Sequence, residues 1–432
     1  MNGVRALLAA RGGAVRIGRN AVSLGILQVG GSLATMALAA VLTRRVGFGG
    51  LNRTLLALSA EAIAAAVADL GLSTYLMREF ARDANAAERL IGLALPVKLL
   101  TSLAAATVLA TLVGAIFGPQ RWPMLALAAL ALPFEAAIAV TIVWLKARQE
   151  MHVSSAAQLA LRWLFAAGGI VLLLLGLDER AVIATWPAAN LLGALWAWRV
   201  LVRRGIKPQW SLATGAVSQL LRSATPFAVT SVAAMLYRRL DLLVLSLFRG
   251  DAEAGAYGAA YRMYELLTLP TVALLDALFP ELARRAVADA SRAALLSAYR
   301  LGRRVLLSLA GAISLATLVL APTAVRIVYG AGALASDSVA LLRLLALALP
   351  LAAGYLLAGH LLIVLNRQRR VSHAMVVATM GSGVFNLLLV PRFGHWAAVA
   401  VSLLCELLLL LLLRWMVRQA LADLSPTLES QR

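Results

Sequence analysis

The chain has 432 residues, 62% of them hydrophobic and 14% charged, with a mean hydropathy of +0.85. That is far from the roughly 45–50% apolar usage of soluble globular domains and excludes an ordinary soluble enzyme or binding module. The net charge of +20 would suggest nucleic acid in a soluble protein, so its distribution along a membrane chain needs its own explanation.

In chain order, the first element is "MNGVRALLAARGGAVRIGRN", with Arg5, Arg11, Arg16 and Arg19 but no separate apolar core or cleavage site. It reads as an amphipathic helix on the cytoplasmic membrane surface over residues 1–20, not as a cleaved signal peptide. Crossing a hydrocarbon core of roughly 30 Å takes about 20 apolar residues, and windows of that length predict twelve spans. They fall at 21–43, 54–77, 90–117, 123–145, 155–176, 181–201, 223–248, 256–280, 303–323, 338–363, 371–390 and 395–417. The organisation expected is an N-terminal six-helix lobe (21–202), a cytoplasmic linker (203–222) carrying part of "RVLVRRGIKPQW", a C-terminal six-helix lobe (223–420) and a cytoplasmic tail (421–432). Span 2 ends in "REFAR" and span 8 in "PELAR", a weak internal repeat. Six spans per half give both halves the same orientation, a parallel repeat of the kind that recurs in transporters.

With the N-terminus inside, the expected cytoplasmic ends and loops hold 26 of the 40 basic residues and the opposite side 8, the other 6 lying within spans. This follows the positive-inside rule and places both termini in the cytoplasm. Basic loops facing anionic lipid account for the charge, so no nucleic-acid partner is expected. Cys405 is the single cysteine, and His152, His360, His373 and His395 are scattered without ligand spacing. No metal and no cofactor are expected.

The informative residues are charges inside the spans, because an ionised group near the bilayer centre is costly and usually faces a protein interior or a water-filled cavity. Two helices joined by a short turn place residues equidistant from that turn at one level, at about 1.5 Å per residue. By that rule Asp241 is level with Arg262, Arg238 with Glu265, Asp69 with Lys98, and Glu135 with Arg162. Arg239, Glu61 and Glu406 have no level partner. Such pairs either neutralise one another so that hairpins can insert, or line an aqueous path.

The stretch "SATPFAVTSVAAMLYRRLDLLVLSLFRGDAEAGAYGAAYRMYELLTLPTVALLDALFPELAR" resembles the seventh and eighth helices of polysaccharide flippases. These belong to the multidrug/oligosaccharidyl-lipid/polysaccharide (MOP) exporter superfamily. "ADLGLSTYLMREFARD" and "NLLLVPRFGHWAAVAVS" resemble the end of that family's second helix and the turn between its last two. The match extends over nearly the whole chain. It implies an all-α polytopic membrane protein with two six-helix lobes in a V-shaped, MATE/MurJ-like architecture. It also implies a non-enzymatic flippase of the O-antigen (Wzx-like) type in lipopolysaccharide and other surface polysaccharide synthesis. Such a protein moves a polyprenyl-pyrophosphate-linked oligosaccharide from the cytoplasmic to the outer leaflet of the inner membrane.

On that reading the substrate-binding residues are Arg238, Arg239, Asp241, Arg262, Glu265, Asp69, Lys98, Glu135 and Arg162, because arginine forks suit pyrophosphate oxygens. Glu61 and Glu406 are the ion-coupling carboxyls. Tyr237, Tyr257, Tyr261 and Tyr264 either stack on sugars or, as is commoner, anchor at the interface. Expected partners are the lipid-linked oligosaccharide, membrane lipids, and the polysaccharide polymerase with its chain-length machinery, around a monomer. The alternatives are an ion-coupled multidrug exporter of the same superfamily, which would favour an uncompensated acidic cavity, and a membrane glycosyltransferase or polymerase, which would need a long external loop that the sequence lacks.

Overall fold

The computed structural model describes residues 2–83, 86–288 and 292–422, with the side chains of 2–22, 277, 279–288, 292–295 and 335 outside that description. The amphipathic face expected for residues 1–20, the "PELAR" motif and residues 423–432 of the tail lie outside the described residues or side chains. Among the described residues the elements are all helical. In order they are α1 (Asn2–Asp69), α2 (Leu72–Arg82), α3 (Ala87–Val108), α4 (Gly114–Phe117), α5 (Trp122–Ala129), α6 (Leu132–Ala147), α7 (Met151–Leu174) and α8 (Glu179–Arg203). There follow α9 (Thr214–Phe248), α10 (Asp251–Ala288), α11 (Arg292–Tyr329), α12 (Ser338–Ala346), α13 (Ala348–Val364), α14 (Gln368–Phe393) and α15 (His395–Ala422).

Nine described helical stretches are long and apolar enough to cross a membrane. The first, Ser23–Asp69, holds nearly all of the first expected span and most of the second, 54–77, whose end lies in α2; α1 breaks between them at Gly47 (φ 83°, ψ −178°), a conformation that glycine adopts without steric cost. The helices α9 and α10, with 35 and 38 residues, are long enough but more charged: Arg238, Arg239 and Asp241 interrupt one, Arg262, Glu265 and Asp276 the other. Together these account for the twelve spans that the hydropathy predicts.

The chain divides into two compact units, residues 1–46 with 53–235, and 47–52 with 236–432. The expected linker 203–222 runs into α9, and the division falls within that helix because its first half packs on the N-terminal unit. There Gly71 (φ 76°) meets the α9 backbone so closely that a Cβ would stand 2.5 Å from the Ala224 carbonyl oxygen. In this unit α3 packs on α6, and α6 and α7 on α8, around a core that includes Leu72, Leu76, Ile91, Trp144 and Leu145. Leu112 and Ile116 are 63% exposed, as suits a surface solvated by lipid rather than water. Between α3 and α4 the helix widens into a π-turn, Leu109–Val113, and the Trp122 indole donates to the Ala110 carbonyl at 2.6 Å. That bond satisfies a backbone oxygen that lipid could not.

The linker is held in place. Gln209 and Ser211 donate their amides to the carbonyls of Glu88 (3.1 Å) and Gly92 (3.3 Å), and Lys207 donates its amide to the Glu88 carboxylate (3.0 Å). A Cβ at Gly92 would lie 2.1 Å from the Gln209 carbonyl oxygen, a backbone atom. Gly92→Val should therefore lift the linker off α3. Hydrogen exchange at the Gln209 and Ser211 amides is expected to quicken by about tenfold or more, as an exposed segment does; unchanged exchange would contradict the docking.

At the end of α8, Arg204 donates to both oxygens of Glu150 (2.8 and 2.6 Å) and clasps the α6–α7 turn. Those bonds outweigh partial burial and hold the Glu150 carboxyl below its usual range. The depressed value means that the clasp is fully formed above the ordinary carboxylate range and lost only as the pH falls through the lowered value.

In the C-terminal unit α14 and α13 pack on α15, and α10 and α13 on α11, with Leu306, Leu357, Leu361 and Leu409 in the core. The short stretch 47–52 belongs here. Asn52 donates to Asp251 (2.9 Å) and accepts from Ser246 (3.0 Å), and the Phe48 carbonyl lies where a Cβ on Gly255 would be, at 2.0 Å.

Candidate functional site

Each unit places a set of charged and hydroxyl side chains inside its helical bundle. In the C-terminal unit the centre is Glu265 on α10. Arg262, one turn earlier on the same helix, donates to it at 3.0 Å, and from α9 the guanidiniums of Arg238 and Arg239 reach its other oxygen at 3.8 and 3.9 Å. Three cations thus face one carboxylate. Arg238 is 62% exposed, Arg239 19% and Arg262 16%, so the group is half open. The buried Arg239 Nε has no hydrogen-bond partner among the described residues, which leaves a donor free for an anion.

The expected pairing of Asp241 with Arg262 is not formed. Asp241 is buried and accepts the Tyr257 hydroxyl and the Leu242 amide. The physical reason is that Arg262 has a nearer acceptor three residues along its own helix, at a spacing where side chains meet. Arg239, expected to stand alone, shares Glu265 with its neighbours. The tyrosines are also relocated: Tyr257 and Tyr264 are 1% and 6% exposed and so are not interfacial anchors. Tyr257, Tyr261 and Tyr264 form a ladder along α10 with ring centroids 5.8 and 5.7 Å apart. At its end the Tyr264 hydroxyl donates to Glu406 of α15 at 2.9 Å, while Glu406 Oε2 has no hydrogen-bond partner among the described residues.

In the N-terminal unit the Asp69–Lys98 pair is formed as expected, at 2.5 Å. Ser73 completes it, donating to Asp69 (2.6 Å) and accepting from Lys98 (2.9 Å). Lys98 is only 3% exposed. Glu135 does not follow its expected pairing with Arg162: its carboxyl lies beside that of Glu61. The Arg162 guanidinium lies against α1, where a Cβ on Gly31 would meet it. Glu61 is 2% exposed, and its Oε1 lacks a hydrogen-bond partner among the described residues. Sequence reasoning did not find the role of Ser73, which follows Asp69 by four residues, a helical spacing that could have signalled it.

The arrangement can hold an anion at the arginine cluster and titrate or bind a cation at the carboxyls. Among the described residues no group of three or more His, Cys, Asp and Glu side chains is placed to hold a metal ion. The model of the family described as polysaccharide biosynthesis protein matches residues 17–286, well over half of the chain. The chain belongs to that polysaccharide biosynthesis family. No curated protein matches it. Among solved structures, this member of the polysaccharide biosynthesis family is similar to the lipid II flippase MurJ in an inward closed conformation, with a TM-score of 0.78 at 12% identity, covering 94% of this chain and 89% of that one. It is also similar to an inward-facing multidrug resistance MATE family transporter of the MOP superfamily, with a TM-score of 0.75 at 14% identity over 94% and 99% of the two chains. A MOP superfamily transporter from Pyrococcus furiosus follows, at 0.63 and 14% over 94% and 96%. At these identities the likeness establishes the fold, which is that of the MOP transporters.

Proposed function

We propose that the chain is a flippase for a polyprenyl-pyrophosphate-linked oligosaccharide. On this reading it carries its substrate by alternating access from the cytoplasmic to the outer leaflet of the inner membrane, for O-antigen-type lipopolysaccharide or a related surface polysaccharide. It makes and breaks no glycosidic bond and hands its cargo to the polysaccharide polymerase and chain-length machinery. The observation that carries the reading is the excess of guanidinium over carboxylate at Glu265. An uncompensated cation inside a membrane protein is expensive, and a pyrophosphate is the anion that arginine forks bind best. Arg238, Arg239 and Arg262 would take the pyrophosphate, with Glu265 holding the forks apart before it arrives. Asp241 and Lys98 are buried against partners within their own units, and on this reading they, with Asp69, Glu135 and Arg162, brace the two bundles. Membership of a polysaccharide biosynthesis family supports a saccharide cargo.

Glu61 and Glu406 form no ion pair with a basic side chain among the described residues, and they are the carboxyls proposed to couple transport to an ion. The juxtaposed Glu61 and Glu135 also favour a second reading, an ion-coupled exporter of cationic drugs, since adjacent carboxyls attract a cation. Depleting the protein separates the two. A flippase should leave lipid-linked oligosaccharide accumulating on the cytoplasmic leaflet, whereas a normal leaflet distribution together with drug hypersensitivity would establish the exporter.

The proposal also fixes orientation. With both termini cytoplasmic, fusion reporters at Arg432 and in the turn near Asp251 should give opposite signals; equal signals would overturn the twelve-span topology.

A further inference from the structure

Away from the charged clusters, a cavity of about 580 Å³ lies between α7 and α8. Ala156, Ala160 and Leu164 of α7 and Gly193 and Trp196 of α8 line it, with His152 at one end. Ala160 and Leu164 are exposed, so the cavity is a groove on the outer surface of two membrane-crossing helices. Its depth follows from Gly193, where a Cβ would come within 2.7 Å of Ile138 and 2.8 Å of Leu161, so a larger residue could not let the helices approach. From His152 to Leu164 the helix rises about 18 Å. Half of a hydrocarbon core is about 15 Å. The groove therefore runs the depth of one leaflet.

One end is polar. The helices are antiparallel, and the Arg204–Glu150 clasp (2.6 Å) puts the start of α7 level with the end of α8. Along α8 the stripe Leu192, Trp196, Arg199, Arg203 repeats at three and four residues, one helical face. Arg199 and Arg203 are exposed, and neither forms an ion pair among the described residues. The buried His152 Nδ1 has no hydrogen-bond partner among them either. An apolar trough one leaflet deep, ending in two free guanidiniums and an unsatisfied imidazole nitrogen, has the chemistry of a lipid with an anionic headgroup.

We propose that this groove is an anionic phospholipid site, with an acyl chain lying along α7 and α8 and the phosphate held among His152, Arg199 and Arg203. The site is independent of the transported cargo and stands whether or not the flippase reading does. Full-length protein in detergent, titrated with phosphatidylglycerol or phosphatidylcholine of the same chains and read by native mass spectrometry, tests it. Phosphatidylglycerol should be retained about tenfold better, a difference of about 1.4 kcal/mol. Arg199→Gln with Arg203→Gln should erase that preference. Ala160→Trp, which fills the trough, should reduce both adducts, provided that its melting temperature matches the parent; the arginine variant, changed only at exposed positions, carries the test by itself if it does not. Equal retention of the two lipids, a preference that survives loss of both arginines, or displacement of phosphatidylglycerol by polyprenyl phosphate at tenfold lower concentration would each overturn the proposal.

Discussion

Lys98→Ala is expected to remove most of the folded protein from the membrane. The ammonium is 3% exposed and lies between Asp69 and Ser73 at 2.5 and 2.9 Å. Truncating it leaves a carboxylate in the bundle with only hydroxyl and backbone donors. Breaking a buried pair from one side typically costs about 3–5 kcal/mol, a large part of the roughly 5–15 kcal/mol that holds a typical protein folded. The paired change Lys98→Met with Asp69→Asn removes both charges and should restore much of the level, because an uncharged pair of similar volume is often nearly neutral. The measurement is the monodisperse fraction extracted from equal membranes. If Lys98→Ala matches the parent, water reaches Asp69 and the buried-pair account fails.

Glu265→Ala should have an effect of the same order for the opposite electrostatic reason. It leaves Arg238, Arg239 and Arg262 facing one another with no anion between them. At an effective dielectric constant of about 20, unit charges 4 Å apart interact by about 4 kcal/mol, so removing the carboxylate turns attraction into repulsion on both helices. If Arg238 and Glu265 paired only because they lie at one depth, the exchange Arg238→Glu with Glu265→Arg would rescue the protein. The observed geometry predicts the reverse, because Arg238 is the most exposed of the three and the exchange puts a guanidinium at the centre, against Arg239 and Arg262, while the only carboxylate moves to the exposed position. Extractable folded protein should therefore stay low in the exchange variant and be near the parent level in Arg238→Ala. Recovery by the exchange would show that Arg238 and Glu265 form an isolated pair.

These cases show what the sequence makes legible. The number of spans follows from the apolar windows, and a proline within α3, α8, α9, α11 and α14 disturbs none of them, since neighbouring helices can satisfy the freed carbonyls. Depth is legible too: counting from a turn found Asp69 opposite Lys98 and brought Arg238 level with Glu265. Azimuth is not. Whether two level residues point at each other depends on how the helices are rotated, and that is set by packing. Asp241 therefore turned to Tyr257 and Glu135 to Glu61. Local competition is a second limit, since Arg262 met Glu265 on its own helix before any partner across the hairpin. The tyrosines read as interfacial from their composition, yet their burial depends on which face of α10 turns inward, and its mixed pattern leaves that undecided.

The flippase reading rests on the arginine cluster, and leaflet exchange in proteoliposomes tests it most directly. Purified protein, with a fluorescent polyprenyl-pyrophosphate oligosaccharide in both leaflets, is assayed by the fraction that an external reductant or lectin can reach with time. The account predicts exchange by the parent chain and a loss of about tenfold or more in Arg239→Gln with Arg262→Gln at equal folded protein, as expected when charge-assisted bonds of about 1.5–3 kcal/mol each are removed. Exchange that is unaffected in that variant, or equally fast for a lipid-linked oligosaccharide without phosphate, would contradict it.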